Sequence, residues 1–127
     1  METQSTDIIT KFIDAINLAD IDVMLDCMTM YHIFKDSREN TITNKVLIEK
    51  AWRNYLTVFP DYRIEIYERV CNEDHVILLG YAAGTYKQNS RFWKIPTAWH
   101  VRLQDNKINL WQVYADNSVV LEIMNDV

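Results

Sequence analysis

Residues 52–62 read WRNYLTVFPDY. Trp52, Tyr55 and Phe59 recur at three- and four-residue spacing, which places them on one face of a helix. Pro60 then stops that helix, because its ring fixes φ and removes a backbone donor. From Tyr62 onward the apolar period changes to two and holds for about fifty residues. A helix carrying large aromatics that hands over directly to long strands folds back onto the sheet it precedes. The concave space left between such a helix and a bent sheet is a usual place for a small-molecule site.

Downstream, Tyr62, Ile64 and Ile66, with Glu65 and Tyr67 between them, lead to a turn at Asn72–Asp74, and Val76–Tyr86 returns as the partner strand. Asn89 and Ser90 mark a second turn, Phe92–Leu103 a third long strand, Asp105–Asn106 a two-residue reversal and Lys107–Asp116 a fourth strand. Together these make an antiparallel meander, and Gly80 and Gly84 inside it mark bends that let the sheet curl.

Upstream, Thr43 is placed to cap the aromatic helix, whose apolar stripe reads Val46, Leu47, Ala51, Trp52, Tyr55 and Phe59. The polar stretch Ser37–Thr43 reads as a turn, and Met28–Asp36 reads as a strand with Met30, His32, Phe34 and Asp36 on one face. Before it, Ser5 or Thr6 caps a first helix with Ile8, Ile9, Phe12, Ile13 and Ile16 on one side. Asp20 caps a short second helix through Val23, Met24 and Leu25. Helix, helix, short strand, helix, then four long strands is an α+β chain with three N-terminal helices gathered over one face of a curved antiparallel sheet, around an apolar cavity. At 127 residues the expectation is a single domain over residues 1–127.

The charge balance, 13 Lys plus Arg against 18 Asp plus Glu, gives a formal net charge of -5 and removes the electrostatic attraction that nucleic-acid binding relies on. No nucleic-acid partner is expected. No apolar run reaches the roughly 18–20 residues that span a bilayer, and METQSTDIITKF lacks the basic-then-apolar pattern of a leader, so no membrane contact and a cytoplasmic location are expected. Cys27 and Cys71 both read as buried free thiols. The three His are scattered and the two Gly allow no phosphate loop, so neither a metal site nor a cofactor is expected.

Four segments carry a resemblance: FIDAINLADIDVM (12–24), YHIFKDS (31–37), FPDY (59–62) and KINLWQVYAD (107–116). With the order of elements, they resemble the NTF2-like superfamily, and within it the SnoaL-like branch that includes polyketide cyclases and ketosteroid isomerase-like enzymes. The resemblance implies a conical α+β fold around a deep cavity, a homodimer formed through the outer sheet face, and functions ranging from isomerase, cyclase and hydratase chemistry to none. One fold hosting many reactions does not choose among them. The chain departs from the family in having Met30 and Tyr31 where an acidic pair is usual, and Asp105-Asn106 in place of an Asp-Gly turn.

Such enzymes use a general base beside an apolar pocket, and desolvation makes a carboxylate there a stronger base. The candidates are Asp116 or Asp36 as base and His32 as acid or orienting group. Tyr114 or Tyr55 is the candidate hydrogen-bond donor. For His32 and Asp36 a structural reading stands beside the catalytic one: a core histidine bonded to a backbone carbonyl, and an aspartate capping the following loop. Asp116 reads equally as a cap for the C-terminal turn at Asn117 and Ser118. His100 is expected on the outer sheet face if Trp99 packs inward, and His75 is expected in solvent. The ligand-lining set is Met30, Phe34, Trp52, Tyr55, Phe59, Trp99, Trp111 and Tyr114, drawn from an aromatic inventory that also holds Trp93. The expected partner is a small, flat, largely apolar organic molecule. The competing expectation is a non-catalytic interaction or dimerisation module whose aromatics fill the cone.

Overall fold

The computed structural model of the chain describes residues 3–126, with side chains from residue 8 onward. Its elements run α1 (Thr3–Asn17), α2 (Ile21–Asp26), β1 (Met28–Lys35), β2 (Thr41–Ile42), α3 (Lys45–Val58), β3 (Arg63–Asn72), β4 (His75–Tyr86), β5 (Arg91–Gln104), β6 (Lys107–Ala115) and α4 (Ser118–Asn125). The six strands form one sheet in the order β2-β1-β6-β5-β4-β3. The meander β3 to β6 follows the alternation in the sequence, and its last reversal places Asp105 and Asn106 at φ 53 and 62, as a two-residue hairpin turn of matching twist requires. The expected Ser5 or Thr6 cap rests on side chains outside the described ones.

Four features differ from the sequence expectation. The sheet is mixed, because β1 runs parallel to β6. The polar stretch after β1 contains β2, whose Ile42 pairs with Phe34 and Thr41 with Lys35. A fourth helix, α4, follows β6 and buries Val120 and Ile123 in the core. The N-cap of α3 is Asn44, one residue later than Thr43, and its side chain accepts from the amides of Val46 and Leu47 at 2.8 and 3.3 Å. Of the expected stripe, Val46 and Leu47 are exposed, while Ile48 and Trp52 are buried.

The core lies between the helices and the inner face of the sheet. From α1 it takes Ile9, Phe12 and Ile16, from α2 Ile21 and Met24, and from α3 Ile48, Trp52 and the following Phe59. The inner strand positions Leu78, Trp99, Val101 and Trp111 complete it. Phe12 meets Trp111 edge-on with ring centroids 4.7 Å apart. Asn17, where α1 ends, pairs with the free edge of β3 as a strand would: its side-chain amide donates to the carbonyl of Ile64 at 3.0 Å and its oxygen accepts from the Ile64 amide at 2.8 Å. Cys27 is buried, but Cys71 is exposed on β3, contrary to expectation. Gly80 marks a close approach, since a Cβ there would stand 1.8 Å from the carbonyl oxygen of Glu65, beside the irregularity in the β3–β4 ladder.

Candidate functional site

The turn that ends α3 builds one wall of a pocket. Phe59 closes the helix, its amide bonding the Tyr55 carbonyl. Asp61 then anchors the turn to β4, accepting from the amide and the hydroxyl of Thr85, both at 2.6 Å. The hydrogen bond from the Thr85 hydroxyl holds the Asp61 carboxyl below its ordinary value. With the turn pinned, Tyr62 is directed inward between two indoles: its ring centroid lies 6.4 Å from that of Trp52 on α3 and 6.2 Å from that of Trp93 on β5. Tyr55 meets Tyr62 edge-on at 4.9 Å, and Phe34 of β1 meets Trp52 at 5.9 Å.

These rings, with Trp111 and Val113 of β6 and Ile95 and Ala82 on the sheet floor, enclose a pocket of about 280 Å³. That is near the lower end of the range of roughly 300–1,000 Å³ typical of small-molecule sites. Its polar rim is formed by Asp36, Ser37 and Arg38 after β1 and by Asn117 before α4. The side-chain amide of Asn117 donates to the hydroxyl of Ser37, which ties the two sides of the rim together. Thr97 is the polar residue of the floor, and its hydroxyl donates to the Ile95 carbonyl at 3.2 Å. Burial pushes the hydroxyls of Tyr55 and Tyr62 well above the ordinary tyrosine value, so both remain protonated donors. Tyr55 is exposed along its outer side while packed neighbours desolvate its hydroxyl end.

Apart from His32, the expected site residues fall into three groups. Phe34, Asp36, Trp52, Tyr55 and Trp111 line the pocket together. Phe59 and Trp99 are buried in the core without lining it. Met30, Tyr114 and Asp116 face away. Met30 is 73% exposed because the ladder slips within β1: Met28 pairs with Ile108 but Ile33 with Leu110, so extra residues bulge out and Met30 leaves the face that His32 and Phe34 share. Tyr114 and Asp116 do lie on one side of β6, but it is the outer one, since Trp111, Val113 and Ala115 take the inner positions. Asp116 accepts from the Ser118 amide at 3.0 Å at the start of α4, and that bond holds its carboxyl below the usual range.

His32 is fully buried but outside the pocket lining. Its Nδ1 lies 2.8 Å from the Ile108 carbonyl oxygen, and desolvation by its surroundings lowers its pKa to about 4, so the ring is neutral. Asp36 reaches the rim, but its oxygens accept from the amides of Arg38 and Asn40, each at 2.9 Å, and from the Asn40 side chain at 3.0 Å. Sequence reasoning did not place Tyr62, Arg38 or Thr97 at the site. Tyr62 had a signal in FPDY and Thr97 in its strand parity, whereas Arg38 had none. Trp99 packs inward and His100 lies on the outer face, where its Nε2 comes within 2.9 Å of the Nδ1 of His75. Among the described residues no group of three or more His, Cys, Asp or Glu side chains is arranged to hold a metal ion, and no helix is long and apolar enough to cross a membrane.

A curved, unclosed sheet of six strands with helices over its inner face is the α+β cone of the NTF2-like superfamily. Within it the family model of the SnoaL-like domain matches residues 9–111, and the chain belongs to that family. Its fold is similar to that of a candidate polyketide cyclase from Xanthomonas campestris pv. campestris (TM-score 0.88, 12% identity, covering 95% of this chain and 96% of the other). TerC co-crystallized with polyporic acid is also similar (0.87, 15% identity, 97% and 99% covered). So is AclR, a candidate hydroxylase from Streptomyces galilaeus (0.83, 14% identity, 100% and 84% covered). At these identities the likeness is one of fold. No curated protein matches the chain in sequence.

Proposed function

We propose that this chain binds a small, flat, largely apolar organic molecule in the pocket beneath α3. The observation that carries the reading is the pocket's construction: a hollow of about 280 Å³ walled by Phe34, Trp52, Tyr55, Tyr62, Trp93 and Trp111, open at a polar rim. Aromatic walls with a few polar groups suit a planar ligand. TerC, which shares the fold, was co-crystallized with polyporic acid. Binding to the native state alone must raise the melting temperature, so a thermal-shift screen of planar organic compounds tests the reading. Saturable stabilisation by some of them is expected. A complete lack of stabilising compounds would favour the alternative of a non-catalytic interaction or dimerisation module.

A second reading, in which the protein also catalyses an isomerase-, cyclase- or hydratase-type proton transfer, draws on one observation: Asp36 and Tyr55 line the same pocket. In that reading Asp36 is the base and no cofactor takes part. Asp116, exposed on the outer side, and His32, outside the pocket lining, are given no part in it. Turnover that survives Asp36→Asn would eliminate it.

The same reading extends to assembly. The outer sheet face exposes Tyr67, Tyr81 and Tyr114, and the rings of Tyr67 and Tyr81 meet at 5.9 Å. An aromatic surface of this kind suits a homodimer through that face, in the cytoplasm. Sedimentation of wild type beside Tyr81→Lys tests it, with a dimer expected for the first and a monomer for the second.

A further inference from the structure

The hollow beneath α3 ends abruptly on the sheet. Along β6 its lining runs from Asn117 at the rim through Ala115 and Val113 to Trp111 and goes no further. On the neighbouring β5 it takes in Trp93, Ile95 and Thr97 but not Trp99, which pairs with Val113 across the ladder. Trp111 therefore stands at the inner end. Phe12 and Trp99, both outside the lining, pack against its indole with ring centroids 4.7 and 6.2 Å away.

The wall formed by Trp93 is backed in the same way. Phe59, outside the lining, meets that indole edge-on at 5.3 Å. On β4, a Cβ added at Gly84 would stand 3.2 Å from the Trp93 ring and 3.3 Å from the Phe59 Cβ. Phe12, Phe59, Trp93, Trp99 and Trp111 are all at most 3% exposed. Rings packed this closely on a second layer do not recede to admit a larger guest, because protein interiors are as dense as organic crystals.

The mouth is held as well. Asp36 staples the loop after β1 by accepting from the Arg38 and Asn40 amides and the Asn40 side chain, and Asn117 donates to the Ser37 hydroxyl across the rim. An apolar ring standing among these groups would cover polar atoms without pairing them, which offsets what its own burial contributes. The volume between the two ends is about 280 Å³. An apolar cavity of about 150 Å³ takes one benzene ring, so the space suits about two fused rings.

We infer that the ligand class is a two-ring, naphthalene-sized skeleton, and that Trp111 is the residue that sets this limit. Skeletons of three or four fused rings are not taken up whole: a further ring meets Trp111 inward or stands among the polar groups of the rim outward. This rests on the reading that the hollow binds a small organic molecule, and it adds the size of that molecule and the residue that measures it.

The test uses three probes that share one carboxylate and differ only in ring number: benzoate, 2-naphthoate and 2-anthracenecarboxylate, each titrated into the full chain by calorimetry. The second ring is expected to tighten binding about tenfold, as burial of its apolar surface requires, and the third to tighten it no further. In Trp111→Phe the anthracene-to-naphthalene affinity ratio is expected to rise by about threefold or more, and because a ratio is read, a general loosening of the site cancels. The series on the wild-type chain decides the size limit even where that variant does not fold. Continued tightening with the third ring, or equal binding of benzoate and 2-naphthoate, would overturn the size limit and leave the pocket reading standing. A ratio unchanged in folded Trp111→Phe would overturn the role of Trp111. Binding of none of the three would remove both the inference and the reading beneath it.

Discussion

His32 Nδ1 lies 2.8 Å from the carbonyl oxygen of Ile108. A carbonyl only accepts, so the ring hydrogen sits on Nδ1, and the bond clamps β1 to the start of β6 across the bulge where the regular ladder fails. Folding thus holds a neutral imidazole in a dry place, with its pKa lowered from 6.5 to about 4.

That depression fixes the sign of a pH dependence. In the unfolded chain His32 takes up a proton near pH 6.5, whereas the folded protein resists doing so until about pH 4. The stability linked to this group is therefore fully present above pH 6.5 and is lost as pH falls toward 4, by about 2–3 kcal/mol. Urea unfolding at pH 7 and pH 4.5 measures it. In His32→Asn, which keeps a donor for Ile108, the difference between the two pH values is expected to shrink by about 2 kcal/mol.

The two glycines of β4 are unequal. An alanine at Gly80 would drive its Cβ to 1.8 Å from the Glu65 carbonyl oxygen, while at Gly84 the nearest atom is the Trp93 ring edge at 3.2 Å. Backbone cannot yield as a ring can. Gly80→Ala is expected to cost about 3 kcal/mol and Gly84→Ala about 1 kcal/mol or less, read from denaturant midpoints.

The cap of α3 gives a sharper comparison. Asn44 accepts from two amides, and Thr43 precedes it. Asn44→Ala is expected to lower stability by about 1 kcal/mol, and Thr43→Ala to leave it within about 0.5 kcal/mol.

These cases mark where the sequence was legible. The strands from Arg63 to Ala115 follow from a period of two held between well-marked turns, and Asp105-Asn106 names its own turn type. The register of β1 was not legible. Its bulge depends on how the strand meets β6, about eighty residues away, and the slip turns Met30 outward while keeping His32 and Phe34 inward. The segment SVVLEIMN, too short for its apolar period to separate helix from turn, folds as α4 because Val120 and Ile123 find the core. At the site, aromatics on α3 and on the alternating strands pointed to Trp52, Tyr55 and Trp111. Arg38 reaches the rim through the β1–β2 turn that Asp36 staples, a tertiary event with no local pattern.

The two candidate bases, Asp36 and Asp116, separate cleanly. Asp36→Ala removes the acceptor for three donors and should loosen the rim, lowering both stability and ligand affinity. Asp116→Ala removes one bond to the Ser118 amide on the outer side, so ligand affinity should be unchanged and only the start of α4 should fray. Amide exchange at Ser118 and Val119, measured beside probe affinity, distinguishes the two variants.

The central claim is that the hollow beneath α3 is a binding site, and filling it is the most direct test. Ala51 lines it from the helix without being fully buried, so Ala51→Trp would occupy the space from a position able to accept the larger side chain. Calorimetric titration of 2-naphthoate into wild type and Ala51→Trp should give saturable one-to-one binding in the first and its loss in the second, with the variant still folded. Equal binding by both proteins, or no binding by wild type, would contradict the account.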